Sequence, residues 1–380
     1  MKEQKCKHSK KCSGCQMSNL DYLKQLEYKQ NKTSRIFQNI CQTNQIIPSP
    51  DVTRYRNKAQ FSFKQTGKEI VCGIYQSAEK KVTPIDDCII CREDDVAIAH
   101  TVAKLLKSFK LKPYDFRTNE GLFKSIIIRT ACATGEKSVT LFTTQKDFKQ
   151  KQKFVNALLS RHEEIKTVVL NVSESDKLVF GDDEESLFGD GSITDILLEK
   201  KFSVSASSFY QINKKATQLL YQKAIEFADI KDGDIVFDAY CGTGTIGICA
   251  SDNASEVIGV ELNASAVERA KENAALNNIT NAHFFCDDAG KFMLKMQKEN
   301  KKIDVLFMDP PRSGSDKKFL SAISKIKPQT IVYISCCIET QRRDIDNLIK
   351  NGYTVEQIQP FDMFPMTKHI ENIILLKKAR

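Results

Sequence analysis

No apolar run in this 380-residue chain approaches the roughly 18 residues that a membrane helix requires. The lysine-rich opening "MKEQKCKHSKKCSGC" lacks the apolar stretch of a secretory signal. Internal repeats and long low-complexity tracts are also missing, so a repeat array is excluded. These absences lead to the expectation of a cytoplasmic protein with no membrane attachment. Structural disulfides are not expected in that compartment. Yet the chain holds 13 cysteines. Such thiols are left as metal ligands, catalytic groups or small core residues.

With 41% hydrophobic and 28% charged residues, the composition is that of a globular protein. The length suits two domains. The net charge of +9 is unevenly placed: residues 1–64 hold 13 Lys/Arg against 4 Asp/Glu, and the rest of the chain carries equal numbers of each sign. A solvated basic tail and a phosphate footprint both fit that asymmetry. The stretch "RYRNKAQFSFK" (54–64) interleaves basic and aromatic residues on a strand-like pattern. That pattern favours phosphate contact with base stacking.

The first half alternates short β-like runs with turns: "KAQFSFKQTGKEIVCGIY", "KSIIIRTACATGEKSVTLFTT" and "EIKTVVLNVSES". The pairs flanking "TG" predict hairpins. Helical spacing falls at 94–108 and 146–161. After about residue 215 the texture changes. Strand candidates end at residues 240, 262, 288, 309 and 336, with helical stretches between them. That alternation predicts a parallel, doubly wound sheet. Asn263 is placed to cap one of its helices. "YTVEQIQPF" and "HIENIILLKK" lack a long intervening helix and predict a closing antiparallel hairpin.

Ligands of such sheets gather at the carboxyl ends of the strands. "FDAYCGTGTIG" (237–247) sets glycines between the first strand and a helix, and Glu261 follows Tyr240 by 21 residues. An acid at that distance binds ribose hydroxyls. Gly242, Gly244 and Gly247 match the dinucleotide spacing, but Asp238 and "D-x-Y-C-G-x-G" favour S-adenosylmethionine. Asp288, ending the third strand, is placed to face the adenine.

"MDPPRSG" (308–314) and "YISCC" (333–337) end the next two strands. A DPP turn serves amino-methyltransferases, usually with an aromatic residue next; Arg312 stands there instead. An amine acceptor needs no thiol. A carbon acceptor does: thiolate addition to C6 of uracil turns C5 into an enolate-like nucleophile, and a base must later remove the C5 proton. Glu371, at the start of the last strand, is the candidate base. Strand periodicity puts His369 on the same face.

These motifs resemble those of the RNA uracil-5-methyltransferases that modify tRNA and 23S rRNA. The markers are "SSFYQIN" (207–213), "DAYCGTG", "DPPRSG", "YISCC" followed by "ETQRRD", and "FPMTKHIE", in order along nearly the whole chain. The resemblance implies Cys336 as nucleophile and Glu371 as base. It implies Gln211, Tyr240, Thr245, Glu261, Asp288 and Asp309 around S-adenosylmethionine or its border with the uracil. The family commonly has Ser-Cys-Asn where this chain has Ser335-Cys336-Cys337. Alternation along an extended segment turns Cys337 inward as a small hydrophobe.

Cys6, Cys12 and Cys15 form C-x5-C-x2-C, unlike the C-x3-C-x2-C of radical enzymes. A fourth ligand is available from Cys88 or Cys91. Members of the resembled family with this pattern carry a [4Fe-4S] cluster, and the match favours Cys88; a structural zinc site is the alternative. The chain resembles the compact, cluster-bearing form without a TRAM barrel, which implies 23S rRNA ahead of tRNA as partner; a monomer is expected.

The fold expected is α/β. A C-terminal Rossmann-like methyltransferase domain (201–380) with a seven-stranded, mostly parallel sheet follows an α+β, β-rich RNA-binding domain (1–200) that opens on the metal-cluster segment. Two rivals are a non-catalytic iron–sulfur RNA-binding protein and an amino-methyltransferase. The first leaves the Cys336, Glu371 and Asp309 set without purpose; the second leaves the thiol unused.

Overall fold

A computed structural model describes residues 6–173 and 180–379. Helix α1 (Tyr22–Phe37) precedes a sheet of seven strands: β1 (Lys58–Thr66), β2 (Glu69–Gln76), β3 (Lys81–Pro84), β4 (Phe123–Thr130), β5 (Lys137–Thr143), β6 (Ile165–Val172) and β7 (Asp183–Phe188). Their order is β3-β2-β1-β4-β5-β6-β7. Only the β5–β6 pair is parallel. Both TG hairpins form, as β1–β2 and β4–β5. The last residues of "EIKTVVLNVSES", 174 and 175, lie outside the described residues.

Helices α2 (Glu93–Ser108) and α3 (Lys151–Leu159) carry the two helical patterns. The second is shorter than its spacing suggests, because Gln150 adopts a left-handed conformation (φ 63°) that starts the helix late. The apolar side chains of α2, with Phe154, Val155 and Leu158 of α3, pack on Phe61, Phe63, Ile126, Ile128, Val139 and Leu141 of the sheet.

The second half begins with a hairpin, β8 (Ser192–Leu197) and β9 (Lys200–Ser205). Then follow α4 (Lys214–Ala228), β10 (Ile235–Ala239), α5 (Thr245–Ala250), β11 (Glu256–Glu261), α6 (Ala264–Leu276), β12 (Ala282–Cys286), α7 (Ala289–Lys298), β13 (Val305–Met308), α8 (Lys317–Ile326), β14 (Thr330–Ser335), α9 (Ile338–Lys350), β15 (Tyr353–Phe361) and β16 (Glu371–Lys378). Seven of these strands form a sheet of order β12-β11-β10-β13-β14-β16-β15. All neighbours are parallel except around β16, which runs against β14 and β15. This is the Rossmann-like, doubly wound architecture expected for the second half. The strand order reverses at β10, between β11 and β13, which is where such sheets open a ligand crevice. Asn263 caps α6, accepting from the Ala266 amide at 3.1 Å.

Two segments of the first half pack on the second. Phe37 of α1 is buried among Tyr333, Ile345 and Ile358. Residues 43 and 47 bridge to Ile358 and Phe361 of β15. The β8–β9 hairpin buries Ile193, Leu197, Phe202 and Val204 against α4 and α5.

Candidate active site

One edge of the second sheet collects the chemistry. Tyr240, Asp309 and Cys336 each stand just past a strand's carboxyl end, and Glu261 closes β11. β16 runs the opposite way, so its first residue, Glu371, reaches the same edge. Ser335 pairs with Asn372, so the next pair outward is Cys336 and Glu371. Topology, rather than sequence spacing, brings the thiol and the carboxyl together.

The glycine loop is shaped by its carboxylates. Tyr240 holds a left-handed backbone (φ 62°), unusual for an aromatic residue. Glu261 accepts from the amides of Gly242 at 3.3 Å and Asn263 at 2.9 Å. Asp238 accepts from the Gly247 amide at 2.9 Å. Gly259 leaves room for Phe284, since a Cβ there would meet its ring at 2.4 Å. Thr245 faces the Tyr221 hydroxyl at 3.2 Å. Asp288 caps α7, accepting from Lys291 N at 2.9 Å. Gln211 is buried, and its carbonyl accepts from Asn57 of the first half at 3.0 Å. Two exposed apolar side chains were not singled out by the sequence patterns: Phe209 (71% exposed) and Leu262 (68%). Phe209 lies two residues before Gln211 and Leu262 directly after Glu261, so an apolar residue close to a candidate site residue was the available signal.

Burial pushes the Asp238 and Asp309 carboxyls up to about 7. Glu371 lies well above the usual carboxylate range, through burial and then the negative charge of Asp309; Arg312 opposes both. The same surroundings push the Cys336 thiol up to about 11: burial first, then Glu371 and Asp309, with Arg312 pulling it down. Asp309, Glu371 and Arg312 thus all bear on the electrostatics of Cys336. Burial and mutual repulsion favour the protonated forms of the thiol and of both carboxyls, and Arg312 favours the ionised forms of Cys336 and Glu371.

The "ETQRRD" motif is the staple that fixes these loops. Gln341 donates to the carbonyl of Tyr333 at 2.9 Å and accepts from Asn372 at 2.8 Å. Thr340 donates to the Arg312 carbonyl at 3.1 Å, and Arg343 to that of Ser313 at 3.0 Å. Asp344 accepts from Ser315 N at 2.8 Å and the Tyr333 hydroxyl at 2.7 Å. Gly314 suits this turn because its left-handed backbone (φ 76°) strains any other residue, and a Cβ would also crowd the Asp344 carboxylate at 2.7 Å.

Cys337 differs from its expected place. The strand ends at Ser335, and Ser335 Oγ closes a turn by bonding Cys337 N at 3.1 Å. Alternation along an extended strand therefore no longer applies. Cys337 starts α9 half-buried, its thiol donates to Glu339 at 3.6 Å, and it lines the same pocket as Cys336. His369 also departs: β16 starts two residues later, so His369 sits exposed, 3.5 Å from Arg312, while Glu371 is buried.

The loop before Glu371 is gripped from the first half. Lys29 Nζ bonds Asp362 Oδ1 at 2.5 Å, both side chains fully buried, and Phe364 O at 3.1 Å. Tyr55 donates to Pro365 O at 3.1 Å. Met366 (φ 68°) is bracketed by Met17 N and the Gln25 side chain at 2.9 and 2.8 Å.

Cys6, Cys12, Cys15 and Cys88 line one small cavity, with His8 and Asp87. Cys91 is instead buried in the adjoining core. Among the described residues no group of three or more His, Cys, Asp or Glu side chains could hold a metal ion as placed. Arg54 organises this loop: it forks onto Asp87 at 2.7 and 2.8 Å and donates to the carbonyls of Cys88 and Cys91 at 2.6 and 3.0 Å. Tyr55, Phe61 and Phe63 are buried in the core. The expected stacking surface at 54–64 is therefore corrected: the outward-pointing aromatics are absent because the sheet covers them with α2.

The model of the tRNA (uracil-5-)-methyltransferase family matches residues 21–379. An uncharacterized RNA methyltransferase of Clostridium acetobutylicum is 35% identical over 382 residues, covering 98% of this chain and 83% of the relative. One from Halalkalibacterium halodurans is 34% identical, covering 99% and 83%. The crystal structure of Pyrococcus abyssi tRNA (uracil-54, C5)-methyltransferase with S-adenosyl-L-homocysteine superposes with a TM-score of 0.82 at 26% identity, covering 96% of this chain and 86% of that one. With the seven-stranded sheet and its edge of motifs, these matches establish that the chain belongs to the tRNA (uracil-5-)-methyltransferase family of RNA methyltransferases.

Proposed function

We propose that this chain methylates C5 of a uridine in RNA, with Cys336 as nucleophile and Glu371 as base. The reading rests on one arrangement: a thiol and a buried carboxyl paired across the sheet edge, beside Asp309 and Arg312. S-adenosylmethionine supplies an electrophilic methyl group on a cationic sulfonium. Gln211, Tyr240, Thr245, Glu261, Asp288 and Asp309 would hold it, and a cation fits a crevice walled by carboxyls. A positive charge beside Asp309 also favours the ionised forms of Asp309 and Glu371.

The Cys336 thiolate bonds to C6, and the C5–C6 π electrons move toward C5 and the C4 carbonyl. C5 takes the methyl group from the sulfonium, whose methyl–sulfur bond breaks to leave a neutral thioether. Glu371 removes the C5 proton, the double bond re-forms, and the C6–S bond breaks to return the thiolate. The uridine must leave its stack to reach this edge.

Cys6, Cys12, Cys15 and Cys88 would hold a [4Fe-4S] cluster. Each thiolate of such a cluster binds a different iron, so the four stand wider apart than around one zinc ion, where Zn–S bonds are about 2.3 Å. That Cys6, Cys12, Cys15 and Cys88 line one cavity supports the reading, while among the described residues no group of three or more His, Cys, Asp or Glu is placed to hold a metal ion. The cluster would tie the N-terminal segment to the loop of Cys88; methyl transfer itself moves no net electrons. Residues 1–200 would serve the cluster and RNA, and residues 201–380 the methyl transfer, in a cytoplasmic monomer.

The resemblance to compact cluster-bearing relatives favours 23S rRNA. The Pyrococcus abyssi neighbour supports tRNA as the second reading. Mapping 5-methyluridine in both RNAs from a strain lacking the gene tests this. Loss of one methylated uridine is expected, and an unchanged map in both refutes the assignment.

A further inference from the structure

A pocket of about 150 Å³ opens beside Cys336, lined by Lys32, Arg312, Cys337, Glu339, Lys368 and His369. Its walls come from four separate parts of the chain: α1, the DPPR loop, the start of α9, and the loop before β16. Three of these side chains are permanent cations and one is a carboxylate. Glu339 pairs with Lys32 at 2.8 Å and leaves two positive charges in excess. Lys368 is exposed, with no ion-pair or hydrogen-bond partner among the described residues. Arg312 reaches His369 at 3.5 Å. Burial holds the His369 imidazole below its ordinary value, and Arg312, Lys29, Lys32 and Arg56 add to the effect. His369 thus stays neutral at pH 7, and the positive field comes from fixed cations.

No step of uracil methylation uses that excess charge. Of the three cations only Arg312 acts on the Cys336 thiol and the Glu371 carboxyl; Lys32 and Lys368 line the pocket. A polyanion whose target base enters at Cys336 must bring a phosphodiester within about one nucleotide of that thiol. The pocket admits a group of phosphate size, and its chemistry suits one: two flexible ammonium groups and a planar guanidinium around a single anion.

We propose that this pocket is a phosphate subsite that grips one phosphodiester flanking the target uridine through Lys32, Lys368 and Arg312. The proposal rests on the uridine reading above. Lys32 lies on α1, so the helix that clamps the loop before Glu371 also touches the RNA. Substrate engagement and placement of the base thus share one element.

The test uses the full chain and an RNA oligonucleotide that it methylates. Single methylphosphonate linkages, which are neutral, replace the phosphates around the target uridine one at a time. Binding is followed by fluorescence anisotropy across a salt series. In the unaltered protein one flanking linkage should lower affinity about tenfold. The Lys32→Ala/Lys368→Ala variant should bind the ordinary RNA about tenfold more weakly, ignore that linkage, and lose about 0.7 from its log–log salt slope. An unchanged thermal unfolding curve shows that the variant is folded. Free inorganic phosphate competing equally against ordinary and substituted RNA would mark a general anion site and overturn the proposal. So would equal sensitivity to the linkage in both proteins, or insensitivity at every position while methylation persists. If the unaltered chain methylates no uridine in RNA, the parent reading fails and the subsite with it.

Discussion

Replacing Lys29 with methionine tests how the first half of the chain holds the loop before Glu371. The ammonium is fully buried, 2.5 Å from Asp362 and 3.1 Å from the Phe364 carbonyl. Methionine fills the space but strands the carboxylate away from water. Breaking a buried pair this way costs about 3–5 kcal/mol, a large part of the roughly 5–15 kcal/mol that holds a typical domain together. Removing both charges, as Lys29→Met with Asp362→Leu, leaves no buried ion and should recover most of that loss. Urea denaturation of the parent, both single variants and the double variant, followed by circular dichroism, gives the coupling energy. The loop runs directly into Glu371, so Lys29→Met should also slow methyl transfer while the protein remains folded. A cost below about 1 kcal/mol for Lys29→Met, the range of an exposed pair, would refute the clamp.

Cys336→Ala should abolish methyl transfer and leave RNA binding intact, whereas Cys337→Ala should keep substantial activity; equal inactivation would show that the wrong thiol has been assigned. With Cys337 replaced by alanine, alkylation of Cys336 by iodoacetamide should accelerate about tenfold per pH unit from 7 to 10. Burial and the two carboxyls raise its pKa to about 11, so the reactive thiolate is gained as pH rises toward that value. Arg312→Ala should slow the alkylation further, and a rate already flat above pH 8 would contradict this electrostatic picture. Anaerobically purified protein should show iron–sulfur visible absorption that Cys88→Ser removes and Cys91→Ser retains. Colourless protein containing zinc alone would exclude the cluster.

Much of the second half was legible in the sequence. Each strand of its parallel sheet is a short apolar run that ends on, or one residue before, a polar or thiol residue, and the ends of parallel strands meet at one edge by construction. That rule locates Tyr240, Glu261, Asp309 and Cys336 without coordinates. The reversed last strand then supplies Glu371. The fate of Cys337 was not legible, because it turns on where β14 stops: one hydrogen bond from Ser335 ends the strand and converts an inward position into a pocket wall. The basic-aromatic stretch at 54–64 misled for a related reason. Phe61 and Phe63 have the spacing of one strand face, and spacing alone does not tell a stacking surface from a face covered by α2. The buried Lys29–Asp362 pair spans 333 positions in sequence, and no local pattern announces such a contact.

The most direct measurement uses RNA carrying 5-fluorouridine at the target position, incubated with the protein and S-adenosylmethionine. Fluorine cannot leave as a proton does, so the thioether at C6 should persist as a covalent protein–RNA complex surviving denaturing electrophoresis, with Cys336 as the modified residue and no complex from Cys336→Ser. Absence of any such complex from protein that binds both RNA and methyl donor, or attachment through a residue other than Cys336, would contradict the mechanism.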